Sequence, residues 1–244
     1  MTNLRRILFV GDPGEPRAQA ASDLASRMSA TLSFLPAGVG SAATGVDRRA
    51  SGTRGTVATL DPPIPQEVVI RAGKQRADLI VAGPPMPDEV AVRLADETGC
   101  PVLVLPESST RLPRRPNILV GLDDHGDPDA IVGATTRVAQ AVGGRLTLVH
   151  VVELYSRDLH VQLDAGWRVL ASAVRLISPH VSASATVLVG DPAGELLDAA
   201  AGSQADIIAI GAPGDVSAGV NSVAAAVLGD AGCPILLVPG EGVA

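Results

Sequence analysis

RPNILVGLDDHGDP (Arg115–Pro128) decides how this chain is read, because RRILFVGDPGEP (Arg5–Pro16) is an earlier version of it. In each, an apolar run ends near a glycine, Asp12 or Asp123 follows, and an acidic residue precedes a proline. Working outward, ADLIVAGPP (77–85) matches ADIIAIGAP (205–213), and CPVLVLPE (100–107) matches CPILLVPG (233–240). TLDP (59–62) pairs more loosely with VGDP (189–192). Self-similarity over nearly the whole chain means one supersecondary unit used twice. Between the copies, ESSTRLPRRPN carries two prolines and three arginines and reads as a linker. The expected division is a first domain over 1–108, a linker over 109–116 and a second domain over 117–244.

In the second copy, ILVGL, LTLVHVV, ATVLVG, DIIAIG and PILLVP are apolar without polar alternation. Such runs fit a parallel sheet covered on both faces. Asp127-Pro128 starts a helix with a cap and a proline in its first turn, and Gly143-Gly144 stops it. A longer helix is expected near 160–178, with Leu163, Trp167, Leu170, Val174 and Ile177 spaced by four or three, and shorter ones at 193–203 and 221–231. The alternating order predicts two tandem doubly wound α/β domains, each a mainly parallel five-stranded sheet with helices on both faces. The first copy is shorter. Asp12 to Asp61 is 49 residues against 68 from Asp123 to Asp191. The missing 19 leave GVGSAATGVDRRASGTRGT (38–56), so 39–56 is read as a flexible loop in place of the long second helix.

Composition excludes several classes. Aromatics are 2%, so the core is aliphatic and base-stacking platforms are nearly absent. Net charge is −7 and no basic run exceeds two residues, which argues against nucleic-acid partners. The apolar run at the N-terminus, Ile7 to Val10, is too short for a signal peptide core, and no stretch reaches a membrane-spanning length. A cytoplasmic protein without membrane contact is expected. Cys100 and Cys233 form no CxxC or Cys/His cluster, so no metal site is expected. They read as small buried hydrophobes, with redox sensing left unsupported.

ILVGLD (118–123), LTLVHVVE (146–153), VGDPAGELL (189–197), ADIIAIGAPG (205–214), NSVAAAVL (221–228) and CPILLVP (233–239), in this order, resemble the universal stress protein family in its tandem two-domain form. The first half matches at its ends only. The resemblance implies a nucleotide-binding-type, Rossmann-like fold, a cytosolic regulatory role, and members that bind ATP or AMP or have lost that capacity. It also implies pairing through last strands, so PVLVLP and PILLVP are expected to pair within the chain as a pseudo-dimer, burying strand edges. The family's nucleotide loop is G-x-x-G, nine residues, then G-[ST]. Here Gly211 and Gly214 supply the glycines, and Asn221-Ser222, followed by Val223, stands at the G-[ST] position after six residues. The resemblance also places Asp123 and Val151 on the adenine side.

The chemistry is reasonable. Ligands of open α/β sheets sit beyond the carboxyl ends of the strands, glycines admit close backbone approach, and helix-start amides hold anions. The plain alternative is equally complete, since GAPG can simply turn the chain and Asn221 or Ser222 can cap a helix without ligand. No Lys or Arg follows Arg175, and Asp215 stands where a triphosphate would pass, which favours AMP, or weakly held ATP with Mg²⁺. From residue 109 on, 8 basic residues face 14 acidic ones, so the second half does not attract polyanions. In the first half, Pro84, Pro85 and Pro87 remove amide donors, and Asp88-Glu89 cap the next helix with carboxylates that block an anion. DDHGDPD (123–129) lacks the spacing of a calcium loop. No nucleophile has a visible base. The expected protein is non-catalytic and regulatory. Alternatives are a ligand-free scaffold for an unknown protein partner, homodimeric or not, and a weak ATPase, for which no base or phosphate clamp is visible.

Overall fold

The structure is a computed structural model that describes residues 4–36, 48–50, 53–55, 66–84, 86–123, 128–153, 158–212 and 223–240. The first half runs β1 (Arg6–Val10), α1 (Pro16–Met28), β2 (Thr31–Leu35), β3 (Arg48–Ala50), β4 (Thr53–Gly55), α2 (Gln66–Gln75), β5 (Leu79–Ala82), α3 (Asp88–Thr98) and β6 (Val102–Val104). The second runs β7 (Asn117–Leu122), α4 (Pro128–Val142), β8 (Arg145–Val152), α5 (Leu159–Leu176), β9 (Ala183–Val189), α6 (Pro192–Gly202), β10 (Ile207–Gly211), α7 (Val223–Asp230) and β11 (Ile235–Val238). Every strand and helix expected in the second half is present within a few residues, because its apolar runs and breakers are unambiguous.

Both halves share one nine-stranded sheet, ordered β2-β1-β5-β6-β11-β10-β7-β8-β9. All neighbours are parallel except β6 and β11, which join the halves antiparallel. In that seam Leu103 pairs with Leu236. These are equivalent positions of the CPVLVLPE and CPILLVPG repeats, so a local two-fold passes between them. Two apolar layers cover the sheet, and each crosses the seam. One joins Phe9, Leu24 and Leu103 to Leu236 and Val138. The other joins Leu8, Leu94 and Val102 to Ile235, Leu237 and Val227. Burial of this aliphatic surface is the dominant favourable term of the fold.

The repeated Ala-Asp dipeptides have a structural task. Asp78 Oδ2 accepts from the backbone N–H groups of Arg5 and Arg6 at 2.8 and 2.9 Å. Asp206 Oδ2 accepts from that of Asn117 at 2.8 Å. Asp78 thus fixes the register of β5 against β1, and Asp206 that of β10 against β7. The linker segment contains no strand or helix. Arg27 of α1 holds it, donating to Leu112 O at 3.3 Å and Arg114 O at 2.7 Å, and also to Val142 O at the end of α4.

Among the described residues the first half gives the main sheet four strands, and TLDP (59–62) lies outside those residues. The loop expectation needs correction. Within the expected 39–56 loop, β3 and β4 form an antiparallel hairpin with Arg49 opposite Arg54. Its register leaves two residues, Ser51-Gly52, between the strands, the length that favours a hairpin. The expected helix α5 buries Gly166, Leu170 and Ala173, while Trp167 is 50% and Val174 44% exposed. The helix approaches the sheet along a narrow stripe because Gly166 lies against the His150 ring, where a Cβ would stand 2.5 Å from Cδ2.

Candidate functional site: two switch points

The chain leaves β1 and β5 in opposite directions across the sheet, and β7 and β10 likewise. The sheet order puts the resulting gaps between β1 and β5 and between β7 and β10. Ligands of doubly wound sheets enter at this place.

In the second half, β7 pairs with β8 through Leu122 and His150, which sets Val151 beside Asp123. On the other side β10 pairs with β7 through Ala209 and Val120, and two residues further on Gly211 lies next to Leu122. Asp123, Val151 and Gly211 therefore meet at one edge of the sheet. Asp123 is exposed, and Val151 and Gly211 are half-buried. Above Gly211, the atom within 4 Å of an added Cβ among the described residues is Ile131 Cδ1, at 3.3 Å. His150 is buried and its Nδ1 lies 2.9 Å from Leu122 O, a carbonyl that only accepts, so Nδ1 carries the proton. That bond fixes the end of β7 just before Asp123. Val223 opens α7 and is exposed. Gly214, Asn221 and Ser222, like Asp215, lie outside the described residues, as do Asp124 to Asp127 of the acidic cluster. Among the described residues no group of three or more His, Cys, Asp or Glu could hold a metal.

The equivalent gap in the first half is filled. Arg17, from the first turn of α1, is 8% exposed, and its guanidinium donates to Pro84 O and pairs with Glu15. Glu15 turns back and accepts from the Asp12 N–H at 2.9 Å. A Cβ on Gly83 would run into Leu105 O and stand 2.8 Å from Arg17 Nη1. Sequence reasoning missed Arg17. The signal was a charge reversal: the residue after the helix-starting proline is Arg17 in one half and Asp129 in the other. The expected carboxylate cap is also corrected. Pro87 is the N-cap of α3, without a side-chain cap bond, and Asp88 and Glu89 are its first helical residues. Proline already supplies the extended backbone that a cap position needs.

The thiols are shielded. Burial, reinforced by the Asp78 carboxylate, pushes the Cys100 thiol up to about 12, and it donates to Ala77 O at 3.3 Å. Burial and Asp206 raise the half-buried Cys233 as well. A reactive thiolate needs the opposite environment.

Sheet order and switch points define a doubly wound α/β protein of the kind that receives ligands beyond its strand ends. Residues 114–239 match the universal stress protein family. A curated universal stress protein of Thermus aquaticus is 33% identical over 135 residues, which is 50% of this chain and 96% of that protein. The chain belongs to the universal stress protein family. Its whole-chain fold is similar to that of a universal stress protein from Archaeoglobus fulgidus, with a TM-score of 0.67, 15% identity and 98% of each chain covered. A functionally unknown protein from Pseudomonas aeruginosa is similar in the same way, with a TM-score of 0.67, 17% identity, and 98% of this chain and 93% of that one covered. No helix among the described residues is long and apolar enough to cross a membrane.

Proposed function

We propose that this protein is a non-catalytic regulator that takes an adenine nucleotide in its second half, with the first half as a ligand-free structural partner over roughly residues 1–108. The observation that carries this reading is the contrast between the switch points. Among the described residues only Ile131 Cδ1 stands near a Cβ added at Gly211, beside Asp123 and Val151, while the Gly83 gap holds an internal ion pair. Asp123 suits an adenine amine or a ribose hydroxyl as acceptor, and the amides leading into α7 suit an anion. The absence of Lys and Arg after Arg175 favours AMP over a tightly held triphosphate. The test strips nucleotide from the purified chain, re-adds ATP or AMP, and records heat of binding and melting temperature. A rise in melting temperature that disappears in Gly211→Leu supports the proposal. No shift at millimolar nucleotide sinks it. Phosphate release above a no-enzyme control, lost in Asp123→Ala, would show catalysis instead.

A second reading, an interaction scaffold, draws on the apolar outer face of α5, where Trp167 and Val174 are exposed. A partner captured equally by the wild type and by Gly214→Glu would favour it.

A further inference from the structure

An open cavity of about 530 Å³ lies at the opposite edge of the sheet from the switch points. It forms where the linker, the end of α4, the start of β8 and the turn before β9 meet, and Arg115, Arg145, His180, Ser182 and Gln140 line it. All five are exposed. Among the described residues the arginines in ion pairs are Arg6, Arg17, Arg27, Arg93 and Arg111, so Arg115 and Arg145 are both unneutralised. That is notable in a chain of net charge −7.

The internal repeat is a control for what the fold itself requires. β1 pairs with β2 through Arg6 and Thr31, and β7 with β8 through Asn117 and Arg145. Thr31 N donates to Arg5 O as Arg145 N donates to Pro116 O. The first half therefore has Thr31 where the second has Arg145, and Leu4 where it has Arg115. The same backbone is built without either arginine. Their joint appearance on one concavity is a property of the second half alone. The electrostatic objection, that a helix C-terminus repels anions, is met in part because Arg27 already donates to Val142 O at 3.0 Å.

We infer that this cavity binds a small phosphate-bearing metabolite. Guanidinium forks match the oxygens of phosphate and are the side chains suited to it. The Ser182 hydroxyl and the His180 ring add hydrogen-bonding groups beside them. The volume is within the range of small-ligand sites. No Phe, Tyr or Trp side chain lines it. The inference is independent of nucleotide binding at the other edge of the sheet.

The test is calorimetric titration of the full chain, at matched ionic strength, with pyrophosphate, glucose 6-phosphate and, as a control anion, sulfate. Arg115→Gln/Arg145→Gln is compared with Arg168→Gln, which removes one exposed charge from α5. The wild type and Arg168→Gln should bind pyrophosphate or glucose 6-phosphate, and the double variant at least about tenfold more weakly. If the double variant does not fold, Arg115→Gln and Arg145→Gln are read singly. No heat at about 10 mM probe, equal binding of sulfate, or undiminished binding by the arginine variants would each overturn the inference.

Discussion

At Gly83 an added Cβ would run into the Leu105 carbonyl oxygen and approach the Arg17 guanidinium; at Gly211, the equivalent position, it would meet Ile131 Cδ1 at 3.3 Å. Gly83 follows β5 and Gly211 ends β10, and both face a switch point. In the first half the helix after strand one carries an arginine in its first turn, which folds back across the gap to Pro84 O. In the second half that position is Asp129, and Ile131 approaches instead. Among the described residues one duplicated backbone thus yields a gap plugged by an ion pair and one without such a plug, and the difference rests on a few side chains rather than on topology.

The sharpest test of this contrast is to place the same methyl group in both gaps. Gly83→Ala must displace a backbone carbonyl and should cost about 3 kcal/mol, while Gly211→Ala needs a shift of one side-chain methyl and should stay within about 1 kcal/mol. Urea unfolding of the two variants measures both, and equal costs would erase the distinction. Next in size is Arg17→Ala. It leaves Glu15 and Pro84 O without their partner at a mostly buried position, for a loss of about 2.5 kcal/mol. This variant should gain no affinity for AMP, because Pro84, Pro85 and Pro87 still withhold amides. Calorimetry showing AMP binding to Arg17→Ala through the first half would mean that the plug alone distinguishes the halves.

The linker offers a smaller effect. Arg27 spans the linker and the end of α4 with three hydrogen bonds from one guanidinium, and Asp23 lies 3.6 Å from it and from Arg111. Arg27→Ala should cost about 2 kcal/mol. Limited proteolysis should then cut first between Arg111 and Arg115. Cleavage elsewhere would show that the clamp does not hold the linker.

Much of this was legible in the sequence, and the illegible parts have physical reasons. The seam was expected from the family resemblance, which implies pairing through last strands, and the repeats CPVLVLPE and CPILLVPG mark those strands. Buried parallel strands leave continuous apolar runs that survive any surface context, so β7 to β11 were read directly. The β3–β4 hairpin was obscured because RRASGTRG carries no apolar alternation; its cue was the Ser-Gly pair alone. Trp167 was read into the apolar spacing of α5, but the helix touches the sheet through Gly166 and Ala173, and small residues leave no periodic trace. Arg17 was hidden because an arginine in a first helical turn normally points to solvent. Its burial depends on Gly83, 66 positions away in sequence.

The equivalent cysteines extend the comparison to a titration. Cys100 is buried and its thiol is raised to about 12, whereas in an unfolded chain it ionises near 9.0. Between those values the unfolded state has released a proton that the folded state keeps, so stability falls as pH rises. At pH 10 this amounts to about 1 kcal/mol. Cys233 is shifted in the same direction but is half-buried, so its share should be smaller. Other groups that titrate above pH 9 contribute alike to wild type and variants, and differences isolate each thiol. The stability gap between wild type and Cys100→Ala should narrow from pH 8 to pH 10, and that for Cys233→Ala should narrow less. In the native protein a thiol reagent at pH 8 should modify Cys233 before Cys100. A gap for Cys100→Ala that stays constant across this range would show that Asp78 and burial do not hold the thiol protonated.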